Sequence, residues 1–169
     1  MRQFLETERL ILKLTSKEDF DDILKLRSDP KVQKYTTQPV ATKKDIQGFI
    51  DIIIPYSKKY GCGMASLFEK DTGEFIGQAG IFHIGHYDLQ PEIEIGYRLH
   101  VKHWGKGFAT EITKALVKWG FENLNIDTIV SFVETENIAS IRVLEKCGFK
   151  HIGLKKCHYG LLERYEIRK

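Results

Sequence analysis

His103-Trp104-Gly105-Lys106-Gly107-Phe108-Ala109-Thr110 is a glycine-rich turn between two regular segments. Ahead of it, Ile93-Glu94-Ile95-Gly96-Tyr97-Arg98-Leu99 reads as a strand; behind it, residues 111–124 repeat with helical period. A strand that feeds a helix through small residues aims backbone N–H groups, and the positive end of the helix dipole, into one small volume. Phosphate is the usual guest of such a turn, and Lys106 adds a charge nearby. The competing reading is a turn that needs glycine only for its dihedral angles and binds nothing. The pattern is not a P-loop, because no Gly-Lys-Ser/Thr closes it. Nor is it a dinucleotide fingerprint, which needs three glycines in an early βαβ unit.

The loop resembles the pyrophosphate loop of the GNAT acyl-CoA N-acyltransferases, Q/R-x-x-G-x-G/A. Trp104 stands at the Gln/Arg position, and Gly107 and Ala109 at the two fixed small positions. The tryptophan departs from the general pattern and is similar to the RimJ/RimL-like branch. A second stretch, Asn137-Ile138-Ala139-Ser140-Ile141-Arg142-Val143-Leu144-Glu145-Lys146-Cys147-Gly148-Phe149, resembles that branch's N-x-x-S-x-x-x-x-x-K-x-G-F. The resemblance runs from Thr7-Glu8-Arg9-Leu10 to the last strand. It implies one N-acetyltransferase domain over residues 1–169, with acetyl-CoA as cosubstrate. It implies an α+β GNAT fold, a mixed and mostly antiparallel sheet flanked by helices, with splayed central strands. Trp104, Gly105, Lys106, Gly107, Phe108, Ala109 and Thr110 would then follow the pyrophosphate. The backbone of Leu99 and Val101 would bond the pantetheine arm, and Asn137 would touch the cofactor while also serving as a helix N-cap.

The flanking segments suit that order. Residues 9–14 read as a first strand, and Asp29-Pro30 as the stop of the first helix. A second helix starts after Thr42 and ends near Gly61, with a kink expected at Pro55. Residues 64–69 and 75–82 form a hairpin through Asp71-Thr72-Gly73, and residues 83–91 a connecting loop. Gly96 suggests a bulge or a close backbone approach. The helix after the loop buries Ile112, Ala115, Leu116 and Trp119. Residues 127–133 are a strand, a short helix follows Asn137 and stops at Gly148, and residues 152–154 and 162–167 supply the last strands.

Composition narrows the class of function. The chain has 169 residues, 42% hydrophobic and 29% charged, which reads as soluble and globular. Its 26 Lys and Arg against 23 Asp and Glu give a formal charge of +3, too balanced for a nucleic-acid binder. No run suits a membrane span, and the start does not read as a signal peptide. The three cysteines, Cys62, Cys147 and Cys157, are scattered, which points to a reducing cytoplasm rather than a disulfide framework. They lack the paired spacing of a zinc site, so no metal is expected. The expected partners are therefore acetyl-CoA and an amine acceptor, with no nucleic acid and no membrane, for a monomer or homodimer.

The implied reaction moves an acetyl group from acetyl-CoA to a primary amine. An alkyl amine has a pKa of about 10.4, so a base must remove its proton near neutrality. Glu94 shares a strand face with Gly96 and Arg98 and is the first candidate base; otherwise it is a half-exposed residue paired with Arg98 or a lysine. His158, in Cys157-His158-Tyr159, is the rival base. Many family members carry a tyrosine general acid where this chain has Leu144, so Ser140 or water would protonate the thiolate. Ser140 is otherwise a first-turn helix residue. Two non-enzymatic alternatives remain: a catalytically silent CoA-binding sensor, and a peptide-binding module on the same scaffold.

Overall fold

A computed structural model describes residues 2–86 and 91–169 of the chain. The strands are β1 (Gln3–Glu6), β2 (Leu10–Leu14), β3 (Gly63–Glu69), β4 (Phe75–His83), β5 (Ile93–Leu99), β6 (Thr128–Val133), β7 (Lys150–Cys157) and β8 (Gly160–Arg168). The helices are α1 (Phe20–Arg27), α2 (Pro30–Gln33), α3 (Lys43–Tyr60), α4 (Phe108–Asn123) and α5 (Ile138–Lys146). The strands form one sheet in the order β1-β2-β3-β4-β5-β6-β8-β7. Every neighbouring pair is antiparallel except β5–β6. The expected mixed, mostly antiparallel sheet flanked by helices is what the chain forms.

Strand alternation sorts the side chains between two layers. Ala65, Leu67, Ala79, Ile81, Ile93, Ile95 and Ile129 pack with Ile112 and Leu116 of α4 and Leu144 of α5. On the opposite face, Phe75, Met64 and Phe82 lie under Ile23 and Leu26 of α1, Val32 of α2, and Ile46, Ile50 and Ile53 of α3. The functional residues of β5 divide the same way. Glu94, Gly96 and Arg98 face the α1–α3 layer, and Tyr97 faces α5.

Local chemistry explains the boundaries. Thr42 and Asp45 form a reciprocal capping box at the start of α3, and Gly61 ends it in the left-handed conformation at φ 69°. The helix continues through Pro55 to Tyr60. Gly73, at φ 67°, turns the β3–β4 hairpin, its N–H donating to the Glu69 carbonyl at 2.9 Å.

Four expectations change. Strand β1 was not foreseen; four residues with no clear alternation are held by pairing with β2. Asp29-Pro30 stops α1 but also starts α2, with Asp29 Oδ1 accepting from the Lys31 N–H at 2.8 Å and Pro30 in the first turn. Gly96 carries no bulge, since the β4–β5 register runs evenly from Gly77↔Leu99 to His83↔Ile93. The close approach falls instead at its partner Gly80, where a Cβ would lie 2.2 Å from the Gly63 carbonyl oxygen. Of the loop expected at 83–91, His83 closes β4, Ile84 to His86 form a 3₁₀ turn, and Tyr87 to Gln90 lie outside the described residues.

Candidate active site

The site grows from the single parallel pairing. β5 and β6 are in register only at Ile93↔Ile129 and Glu94↔Val130. One residue on, Ser131 Oγ donates to the Ile95 carbonyl at 3.0 Å; beyond that the strands part. A cleft of about 1090 Å³ passes through this gap, with the 103–110 loop at one end and the α1–α3 layer at the other. The expected splay of the central strands is this gap.

Gly105 and Gly107 adopt φ 75° and 82°, conformations that cost little only for glycine. Gly107 is the N-cap of α4 and offers no capping side chain. The first helical hydrogen bond is Glu111 N–H to the Gly107 carbonyl, so the N–H groups of Phe108, Ala109 and Thr110 have no helical partner. The loop is clamped from the far edge of the sheet. Arg9 donates through Nη1 to the Lys106 carbonyl at 3.0 Å and pairs through Nε with Glu111 at 2.7 Å. Glu111 also accepts from Thr7 Oγ1 at 2.6 Å and the Arg9 N–H at 2.9 Å. Lys106 itself is exposed. The sequence reading missed Arg9 and Glu111 as loop holders, although an acidic residue in the first turn of α4 was a signal.

The edge of β5 facing the gap differs in detail from expectation. Backbone groups of Ile95, Tyr97 and Leu99 point away from β4, while the His100 N–H points toward it and donates to the Ile76 carbonyl. The Leu99 carbonyl accepts from the Trp104 indole at 2.8 Å. Val101 lies past the strand in a 3₁₀ turn, its carbonyl accepting the Trp104 N–H at 3.0 Å. Tyr97 is thus the residue whose N–H and carbonyl face the gap between two engaged carbonyls. It was not singled out from the sequence.

Glu94 is only 6% exposed. Its partner is neither Arg98 nor a lysine but a phenol: Tyr159 Oη donates to Glu94 Oε2 at 2.8 Å and accepts from the Gly85 N–H at 3.2 Å. Burial pushes the Glu94 carboxyl up to about 8, against the opposing pull of that hydrogen bond. His158 is exposed in the β7–β8 turn beside the cleft, and the neighbouring Tyr159 is the residue that reaches Glu94. Glu92 is held by Arg164 at 2.5 Å.

On the other side of the gap, the Tyr97 hydroxyl donates to Ser140 Oγ at 3.1 Å. Asn137 caps α5, its Oδ1 accepting from the Ser140 N–H at 3.2 Å. With Oγ accepting from Tyr97, the Ser140 hydroxyl proton is directed to another acceptor. Burial pushes the Tyr97 phenol up to about 12, which keeps it protonated. Leu144 is buried core. The thiols of Cys147 and Cys157 are raised above their ordinary value by burial, the reverse of activation.

Residues 9–150 match the family model described as an acetyltransferase (GNAT) domain. The chain belongs to the GNAT acetyltransferase family. This GNAT chain is 37% identical over 151 residues to an uncharacterized N-acetyltransferase, p20, of Bacillus licheniformis, covering 89% of this chain and 84% of that protein. An acetyltransferase from Agrobacterium tumefaciens superposes with a TM-score of 0.84 at 31% identity, over 98% of this chain and 94% of that one. A spermidine N-acetyltransferase from Vibrio cholerae, solved with CoA and spermine, shares the fold at a TM-score of 0.78 and 18% identity, over 96% of each chain. Among the described residues, no helix of this GNAT chain is long and apolar enough to cross a membrane.

Proposed function

We propose that residues 1–169 act as one domain that transfers an acetyl group from acetyl-CoA to a primary amine by direct attack. The observation that carries this reading is one continuous cleft joining the uncapped start of α4 to the buried carboxyl of Glu94 through the β5–β6 gap. The pyrophosphate would lie on the N–H groups of Phe108, Ala109 and Thr110, where no side chain competes. The pantetheine arm would lie along the gap edge of β5, against the backbone of Tyr97 and Leu99, with Asn137 and Ser140 across it. The Vibrio cholerae protein of the same fold was solved with CoA, which supports CoA as the cosubstrate.

The amine enters from the α1–α3 side. Glu94, as carboxylate, takes a proton from the ammonium. The neutral nitrogen attacks the thioester carbon, the C–N bond forms, and the C–S bond breaks. As the tetrahedral centre collapses the nitrogen gives its second proton to solvent, and the thiolate takes the Ser140 hydroxyl proton, which the hydroxyl regains from water. Glu94 returns its proton to solvent. A base whose pKa lies near the working pH suits the first step, and about 8 meets that condition. The raised cysteine thiols favour direct attack over an acetyl-cysteine intermediate.

The test is thioester consumption. With a panel of primary amines, an acetyltransferase releases free CoA thiol only when a suitable amine is present. A protein that binds CoA in calorimetry and releases no thiol with any amine is the silent sensor, and the catalytic reading falls.

A further inference from the structure

The α1–α3 end of the cleft holds two arginines with no carboxylate partner among the described residues. Arg27 of α1 is 7% exposed, stacks on Phe49 with its guanidinium carbon 3.8 Å from the ring centroid, and donates through Nε to Gln78 Oε1 at 2.8 Å. Arg98 of β5 is partly buried and donates through Nη1 to Gln33 Oε1 at 2.8 Å. Gln78 lies directly opposite Arg98 across the β4–β5 ladder. Because its oxygen accepts from Arg27, its amide nitrogen faces elsewhere, and that nitrogen is fully buried without an acceptor. Both arginines line the cleft, and among the described residues no carboxylate lies within ion-pairing distance of either. Asp19, the buried carboxylate just ahead of α1, accepts from the Ser16 N–H and from Ser66 Oγ instead.

One buried cation, one partly buried cation and an orphaned N–H group form an unbalanced site, because buried charges are normally paired. Burial depresses both guanidinium groups, Arg98 to about 10, and a guanidinium stays protonated in proteins near neutrality. The walls beside them, Phe49, Ile53, Met64 and Phe82, are apolar. Among the described residues the carboxylates on the cleft walls are Glu94, Asp45 and Glu134, and Asp45 is held by the Thr42 N–H at 2.8 Å. A polycation would meet two positive charges here.

We infer that the acceptor is an amine that also carries a carboxylate, held by Arg27 and Arg98 while the amine faces Glu94. Guanidinium forks match a carboxylate in bidentate geometry, and the apolar walls take an aliphatic or aromatic side chain. This deepens the proposed acetyl transfer and rests on it for the placement of the amine, but the anion site can be tested without turnover.

The experiment has two arms. In the first, leucine, phenylalanine and ω-amino acids of increasing length are assayed with acetyl-CoA against their amides, an aminoalkyl phosphonate and spermine. The expected result is a preference for the acid over its amide. In Arg98→Gln the ratio of kcat/KM between acid and amide falls by about 10²-fold or more, and in Arg98→Lys by less. CoA affinity, read by calorimetry, reports that each variant is folded. In the second arm, carboxylates without an amine, such as 4-methylpentanoate, are titrated against the CoA-bound protein by thermal shift. Stabilisation that Arg98→Gln abolishes supports the anion site even if no amine is acetylated, in which case only the catalytic reading fails. Amides or spermine consumed as well as amino acids, with no carboxylate stabilisation, overturn the inference while leaving acetyl transfer standing. A phosphonate preferred over every carboxylate overturns the choice of anion.

Discussion

Glu94 shows how far one residue can be read before its neighbours are known. Alternation along β5 placed it on the face of Gly96 and Arg98, and the structure keeps it there. Its partner was not legible, because Tyr159 lies 65 positions away on a different hairpin. His158 is the rival base of the sequence, yet its neighbour in the turn, Tyr159, makes the contact with Glu94. Burial holds the Glu94 carboxyl near 8 rather than 4.5, so the native state binds this proton more tightly than the unfolded chain. The contribution to stability is full below about pH 4.5 and is lost as pH rises through about 8. Glu94→Gln removes the titration. Thermal melts should show the variant close to the native protein at about pH 5 and more stable at about pH 9, by a few kcal/mol. Equal pH dependence in both proteins would mean that Glu94 is solvated. Removing a bond that favours the carboxylate raises its pKa further, so Tyr159→Phe should move the activity limb to higher pH. An unshifted or downward-shifted limb would sever Tyr159 from the base.

At the scale of elements, start and stop signals carried most of the sequence reading. The Thr42–Asp45 box and Gly61 bounded α3, and Asn137 and Gly148 framed α5. The misses have physical causes. Strand β1 has little pattern of its own, and Asp29-Pro30 is both a stop for one helix and a start for the next. The loop into α4 was legible as a turn, but its clamp from Arg9 was not, because the two are 97 positions apart. Gly107→Glu places a carboxylate at the uncapped helix start and a side chain at φ 82°. Calorimetry should show CoA binding lost or weakened by at least about 10²-fold, since strain of about 1–3 kcal/mol adds to charge repulsion. Unchanged affinity would remove the loop from the CoA site. Arg9→Ala should weaken CoA by about 10-fold and lower the melting temperature, because Lys106 and Glu111 lose a shared partner. A variant with normal CoA affinity would show that the loop holds its shape alone.

For the whole molecule, the fold follows from interrupting a ladder. Among the described residues there are seven strand pairs, and only β5–β6 is both parallel and short. That interruption opens the sheet to a cleft with an anion-ready helix start on one side and a buried acid on the other. The loop and Asn137 motifs made the family legible; the acceptor end was not, because Arg27, Gln33, Gln78 and Arg98 meet only after four elements are packed. Direct attack leaves no trace on the enzyme, so incubation with acetyl-CoA alone should leave the protein mass unchanged. An acetyl adduct on Cys147 or Cys157 that transfers to an amine would replace direct attack with a two-step path. Release of free CoA thiol from acetyl-CoA, followed from about pH 6 to pH 10 with one accepted amine, joins the two ends of the cleft in a single readout. The native protein should show kcat/KM rising through an apparent pKa near 8. Glu94→Gln should lose about 10²–10⁴-fold at neutral pH and recover part of it toward pH 10, as the free amine sheds its own proton. A Glu94→Gln profile that coincides with the native one, in height and in limb, would contradict the assignment of Glu94 as the base.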